Sequence, residues 1–119
     1  MDTRISGTTK LFGIIGTPVD RAGSPAMYNF CFDYYGLDCV YLAFDCREDQ
    51  VKDTLDATKR LQIRGLNVTM PCKREAARQV DRLSPPARFT GAVNTIVNED
   101  GILTGHITDG IGFLSDLMD

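Results

Sequence analysis

The sequence predicts an α/β domain: a three-layer α/β/α arrangement with a mostly parallel sheet plus an antiparallel hairpin strand. Three observations point there. Short apolar runs alternate with helical segments between Leu11 and Thr69, a β-α-β-α-β order that implies parallel strands with helices on both faces. Two later β-prone runs flank an Asp100-Gly101 turn, which marks a hairpin. The length of 119 residues suits one core and is too short for two.

Leu11-Phe12-Gly13-Ile14-Ile15-Gly16 reads as a buried strand that ends at Gly-Thr-Pro. Ser24-Pro25 starts a helix, with Ser as N-cap and Pro at the first helical position. Met27, Phe30, Cys31, Tyr34 and Tyr35 recur at helical spacing, and Gly36 stops the helix. Cys39 to Phe44 is a second strand; Val51, Leu55, Thr58 and Leu61 mark a second helix over 47–61; Gly65 to Thr69 is the third strand. Lys73 to Val80 is helical by composition, and Ser84-Pro85 opens a short helix. Val93 to Asn98 and Ile102 to Gly105 form the hairpin, and Thr108-Asp109-Gly110 opens a last helix.

Composition excludes several function classes. A formal charge of −3 and the lack of any run of five or more like charges argue against a nucleic-acid groove. No apolar stretch approaches the ~18 residues that span a bilayer, and the N-terminus lacks an apolar signal core. The four cysteines have neither zinc-site spacing nor histidine company, since His106 is the only histidine. They read as reduced thiols of a cytoplasmic protein. Cys72 adjoins Lys73, whose ammonium would favour a thiolate, but a small side chain filling space is the simpler reading. His106 reads as an exposed residue at the end of the hairpin.

The polar clusters carry the chemistry. Lys73 follows Pro71 at the end of the run Leu66-Asn67-Val68-Thr69. Proline donates no ladder hydrogen bond, so Lys73 leaves the sheet where the chain turns, on the rim where open α/β sheets bind ligands. Asn67, Thr69, Asn94 and Thr95 supply short donors and acceptors there, and Asp109 is a carboxylate able to pair with the lysine. A Lys–Asp pair ringed by amides and hydroxyls suits proton transfer to or from a substrate hydroxyl. The plainer alternative is a surface lysine beside a turn.

Four segments, in this order, resemble signatures of the shikimate dehydrogenase family, which includes quinate/shikimate dehydrogenases. Gly16-Thr17-Pro18-Val19-Asp20-Arg21-Ala22-Gly23-Ser24-Pro25, with Asn29, resembles the family's Pro-Ile-x-His-Ser-x-Ser-Pro substrate loop. Gly65 to Lys73, Gly91-Ala92-Val93-Asn94-Thr95 and Thr108-Asp109-Gly110 are the other three. The resemblance runs from about Leu11 to the end, so residues 1–119 read as one substrate-binding domain.

The resemblance implies interconversion of shikimate and 3-dehydroshikimate with NADP. Quinate as substrate and NAD as cofactor are the near alternatives, and a non-catalytic binding remnant is the alternative from another class. It implies that Lys73 relays the proton of the hydroxyl being oxidised while Asp109 orients it. Ser24 would contact the substrate carboxylate, and Asn67, Thr69 and Asn94 the ring hydroxyls. Two departures stand out: Arg21 and Ala22 replace the loop's histidine and first serine, and Ile107 stands where many members have asparagine. Arg21 offers a forked guanidinium that can pair with a carboxylate in compensation. No G-x-G-x-x-G is present, so the family's dinucleotide-binding half is expected outside these residues, and this chain alone is expected not to turn over. A small-molecule substrate is implied as partner, with no nucleic acid and no membrane, and the resemblance leaves room for a homodimer.

Overall fold

The computed structural model describes residues 4–108, so the expected last helix and Asp109 lie outside the described residues. The sheet has six strands in the order β2-β1-β3-β5-β6-β4. β1 (Lys10–Gly16) lies between β2 (Cys39–Asp45) and β3 (Gly65–Val68), parallel to both. β5 (Thr95–Glu99) runs antiparallel to β3 and to β6 (Ile102–His106), and β4 (Arg82–Leu83) is parallel to β6. β5 is thus the only strand of the described sheet that runs against the others, as the hairpin signal predicted.

The crossovers from β1 out to β2, and from β2 back past β1 to β3, are expected to send their helices to opposite faces, as right-handed connections do. Burial confirms this. Phe12 and Ile14 of β1 pack with Val19, Tyr28, Phe32 and Tyr41 beneath α1 (Ser24–Tyr34). Ile15 packs on the other face with Val51 and Leu55 of α2 (Val51–Arg60), Ala76 and Ala77 of α3 (Lys73–Gln79) and Ala87 of α4 (Pro85–Thr90). The period-2 alternation of one strand therefore feeds an apolar cluster on each face of the single sheet.

α1 does not bury the stripe expected of it. Met27, Phe30, Tyr34 and Tyr35 are exposed, and the inward residues are Tyr28 and Phe32, one turn apart. The helix is apolar on several sides, so periodicity alone does not choose its face. A tertiary contact chooses it: the Asn29 amide donates to Tyr41 O at 2.8 Å and accepts from Tyr41 N at 2.9 Å. Asn29 thereby occupies the outer edge of β2 as a neighbouring strand would, and it sets the rotation of α1.

Local signals fare better. α2 buries Val51, Leu55 and Thr58 at helical spacing, preceded by a 3₁₀ turn at Glu48–Gln50. Ser84 caps α4 by accepting from Ala87 N. Asp100 and Gly101 have φ of 54° and 86°, the left-handed pair that a two-residue hairpin turn requires. β4, only two residues long, carries no periodicity and was not expected. His106 is the half-buried last residue of β6, not an exposed hairpin end, because its carbonyl accepts from Asn94 N. Among the described residues no helix is long and apolar enough to cross a membrane.

Candidate functional site

The chain after β1 goes to α1 on one face, and the chain after β3 goes to α3 on the other. Such a divergence opens a crevice at the carboxyl ends of the two strands. Here the two departing loops are bonded together: Thr17 N donates to Met70 O at 3.1 Å and Thr69 N to Ile15 O at 2.9 Å. Gly16 has φ +150°, and a Cβ there would lie 2.3 Å from Thr69 Cγ2 and 2.9 Å from Met70 O. Only glycine permits that approach. The first and second motif loops therefore meet at one point on the rim.

Lys73 is the first residue of α3, half-buried, and its carbonyl accepts from Val93 N at 3.1 Å. That bond ties the lysine loop to the Ala92-Val93-Asn94-Thr95 segment. Among the described residues the Lys73 ammonium has no ion-pair partner. Asp109, its expected partner, lies outside the described residues, but Thr108 beside it is held firmly. Asn94 Nδ2 donates to Thr108 O at 2.5 Å, and Asn94 Oδ1 accepts from Thr108 N at 2.9 Å. Thr95 Oγ1 bonds Thr108 Oγ1 at 2.8 Å and donates to Asn94 Oδ1 at 3.1 Å. Asn94 thus spends its carbonyl oxygen and one N–H on positioning the strand that leads to Asp109, leaving one N–H.

Asn67 sits on β3 opposite Thr95, and its Nδ2 reaches Thr95 Oγ1 at 3.4 Å. Its carbonyl end is taken by a residue that sequence reasoning missed. Tyr41 Oη, from β2 two strands away, donates to Asn67 Oδ1 at 2.7 Å. The Ser24 hydroxyl also bonds the Tyr41 phenol. Ser24 is free to do so because it is not the helix cap: Gly23 is, with Gly23 O accepting from Met27 N at 3.2 Å. The helix begins one residue earlier than Ser-Pro suggests, which releases the serine hydroxyl. One signal in the sequence pointed to Tyr41: a tyrosine inside a buried strand must still find a partner for its hydroxyl.

Thr69 is half-buried at the end of the same run, on the same face as Asn67 by alternation. Arg21 is exposed in the loop before α1. Ala22 packs against the cluster of Phe12, Val19 and Tyr28, so the loop's missing hydroxyl is replaced by an apolar contact. Ile107 is 39% exposed and enters neither cluster. Cys72 is fully buried, its Sγ donates to Cys46 O at 3.2 Å, and burial first, then the neighbouring Cys46, pushes its thiol up to about 12. It fills space and is no thiolate.

A cavity of about 650 Å³ lies elsewhere, at the opposite rim, lined by residues including Lys59, Gln62, Arg64 and Asn98. The space beside Gly13 is filled by the Phe44 ring, 2.5 Å from where a Gly13 Cβ would be, and the space beside Gly16 by Thr69, so these two glycines of the described residues leave no room for a phosphate. Nor do any of the described residues form a group of three or more metal-ligating side chains.

A doubly wound domain that carries hydroxyl, amide and lysine residues in the loops at its strand ends has the architecture of the α/β class whose ligand crevices lie at the carboxyl ends of the strands. The family model of the shikimate dehydrogenase substrate binding domain matches residues 14–96. The NADP(+) shikimate dehydrogenase of Listeria monocytogenes is 47% identical over 116 residues, 98% of this chain and 40% of that enzyme. A solved structure of a Listeria monocytogenes shikimate 5-dehydrogenase in complex with shikimate and NAD superposes with a TM-score of 0.88 at 47% identity, covering 99% of this chain and 41% of that one. A shikimate dehydrogenase solved with NADP+ has a TM-score of 0.85 at 44% identity, over 95% of this chain and 39% of that one. The chain belongs to the shikimate dehydrogenase family and corresponds to its substrate-binding domain. It spans about two fifths of the length of the relatives it matches.

Proposed function

We propose that this chain is the substrate-binding part of an oxidoreductase that interconverts shikimate and 3-dehydroshikimate with NADP. The observation that carries the reading is the convergence of three motifs on one rim. Lys73 is tied through its carbonyl to Val93, while Asn67, Thr95, Asn94 and Thr108 form an unbroken hydrogen-bonded chain ending beside Asp109. When a hydroxyl-bearing carbon is oxidised, a hydride leaves carbon and a proton leaves oxygen. A nicotinamide cofactor, when bound, would supply the hydride acceptor. Lys73, as the neutral amine, takes the hydroxyl proton, and Asp109 orients the ammonium so formed. Ser24 turns its one proton from Tyr41 Oη to the carboxylate, and Asn67, Thr69 and the remaining N–H of Asn94 hold ring hydroxyls. Arg21 is the cation that reinforces the carboxylate contact.

The test is turnover by the full-length protein of shikimate and of quinate, each with NADP and with NAD. Faster turnover of shikimate with NADP is expected. Preference for quinate would move the assignment to a quinate/shikimate dehydrogenase. No turnover of either would leave a binding module and sink the reading.

A further inference from the structure

Cys46 and Cys72 stand on two loops beside the carboxyl end of β1, and both are closed off from solvent, at 1% and 0% exposure. Cys46 is the first residue after β2, and Cys72 is the N-cap of α3, one residue before Lys73. Their side chains meet. Cys72 Sγ donates to Cys46 O at 3.2 Å, and the two thiols hydrogen-bond each other. Backbone bonds seat both residues: Cys46 N donates to Gly16 O at 2.8 Å and Cys72 N to Thr69 O at 2.9 Å.

The proton transfer above uses neither sulfur, and a lone buried thiol would be no more than filling. A pair in contact adds chemistry, because two thiols can give up two electrons together and join. The S–S bond is about 2.05 Å long, so the sulfurs must move closer than a hydrogen bond brings them. Both residues lie in loops rather than in strands, where the backbone can follow that movement. Their cover is thin, since Asp45, Arg47 and Met70 next to them are exposed. A molecule the size of hydrogen peroxide can enter there where a bulky disulfide cannot. Burial first, then Cys46, then the Glu48 and Asp45 carboxylates disfavour the Cys72 thiolate, so the pair stays reduced until the oxidant is sustained.

We propose that Cys46 and Cys72 are an oxidisable dithiol, which a hydroperoxide converts to a disulfide that displaces Lys73 and switches the site off. One sulfur, as thiolate, attacks the peroxide O–O bond; a sulfenic acid forms and hydroxide leaves, taking up the thiol proton as water. The other sulfur attacks the sulfenic sulfur, the S–S bond forms, the S–O bond breaks, and a second water leaves. Sulfur loses the two electrons that the peroxide gains. Closure takes the Cys72 proton from Cys46 O and draws the N-cap of α3 toward the end of β2, and Lys73 moves with it. The effect on Lys73 rests on the substrate-binding reading above; the disulfide itself does not.

The experiment treats the full-length protein with about 1 mM hydrogen peroxide for about an hour, within the seconds-to-hours range of disulfide formation. Free thiols are then alkylated, and the digest is read by mass spectrometry. A linked Cys46–Cys72 peptide pair is expected, lighter by the lost thiol hydrogens and split by dithiothreitol. Turnover of shikimate with NADP should fall about ten- to a hundredfold, the scale of a misplacement of about 1 Å, and return on reduction. Cys46→Ala should match the untreated wild type and lose no reducible activity under peroxide; should it fail to fold, Cys72→Ala under peroxide makes the same comparison. Cys31 and Cys39, both half-buried, report the dose. Their oxidation without a Cys46–Cys72 link would overturn the dithiol. A link that leaves turnover unchanged, or a reducible loss that persists in the alanine variant, would overturn the switch. A wild type without turnover removes the reading beneath it, while the linked peptide still decides the dithiol.

Discussion

The two rims of the sheet use the same side chains for opposite ends. At the rim holding the cavity of about 650 Å³, Asn98 Nδ2 donates to Ile63 O at 2.9 Å and Thr58 O at 3.4 Å, and its Oδ1 accepts from Gly101 N at 2.9 Å. Asp81 there accepts from Leu103 N at 2.8 Å and pairs with Lys59 at 2.9 Å. The Asn98 amide is spent on the backbone, and the Asp81 carboxylate on the backbone and Lys59. At the motif rim, Asn67 and Asn94 are spent in part, on Tyr41, Thr95 and Thr108, and each keeps N–H capacity toward the cleft. The difference teaches that volume does not make a site. Unspent hydrogen-bonding groups, pre-aimed by spent ones, do.

The largest effect expected from this contrast concerns the two lysines. Lys73→Ala should lower kcat by about 10²–10⁴-fold with a smaller change in KM, the usual share of one acid–base group. Lys59→Ala, at the other rim, should leave kcat within about twofold, because a surface pair contributes to stability alone. Steady-state rates for both variants would break the comparison if the two losses were similar.

The asparagines sharpen it next. Asn98→Ala removes three hydrogen bonds to otherwise buried backbone and should destabilise the fold by about 1–3 kcal/mol, seen as a lower urea midpoint at unchanged slope. KM for shikimate should not move. A shift in KM would mean the second rim communicates with the first.

A smaller effect is expected in the loop. Ala22 packs against the core cluster, so Ala22→Ser would place a hydroxyl at its margin. If the carboxylate contact is incomplete, this variant should tighten shikimate by up to about tenfold. If Arg21 has compensated, Ala22→Ser should do little and Arg21→Ala should weaken binding, more so at low salt, where the ionic contact is least screened. Titration calorimetry on both variants separates the cases; no change in either would take the carboxylate away from this loop.

What could be read in the sequence was what local chemistry decides. The Asp100-Gly101 turn needs two left-handed residues, Ser84 caps because α4 starts right after it, and the alternation in β1 predicts a sheet covered on both faces. The rest depended on partners distant in sequence. The rotation of α1 is chosen by Asn29 meeting Tyr41, not by its apolar spacing, and Ser24 leaves its capping role because Gly23 takes it. Asn94 could be placed at the site from its motif, but its grip on Thr108 needs the fold of β6 to bring them together. Tyr41 was hidden for the same reason: its strand reads as apolar, and its partner lies 26 residues on.

The smallest expected effect is a pH dependence confined to the second rim. The Leu103 amide first, and then the Lys59 side chain, hold the Asp81 carboxyl below its usual pKa. A folded-state pKa below the unfolded value means that the carboxylate contributes stability above the unfolded pKa, about 3.9. That contribution disappears as pH falls through the folded value. Asp81→Asn removes the titration while keeping the size, so the Tm gap between wild type and variant should be full near neutral pH and close progressively below about pH 4. The gap should stay modest, since the Asp81 side chain is 35% exposed and exposed pairs contribute less than about 1 kcal/mol. KM measured across the same range should show no corresponding difference between the two proteins, because nothing at this rim faces the cleft. Melting curves taken from pH 3 to 7 would decide it: a gap independent of pH would show that Asp81 owes its place to shape rather than charge.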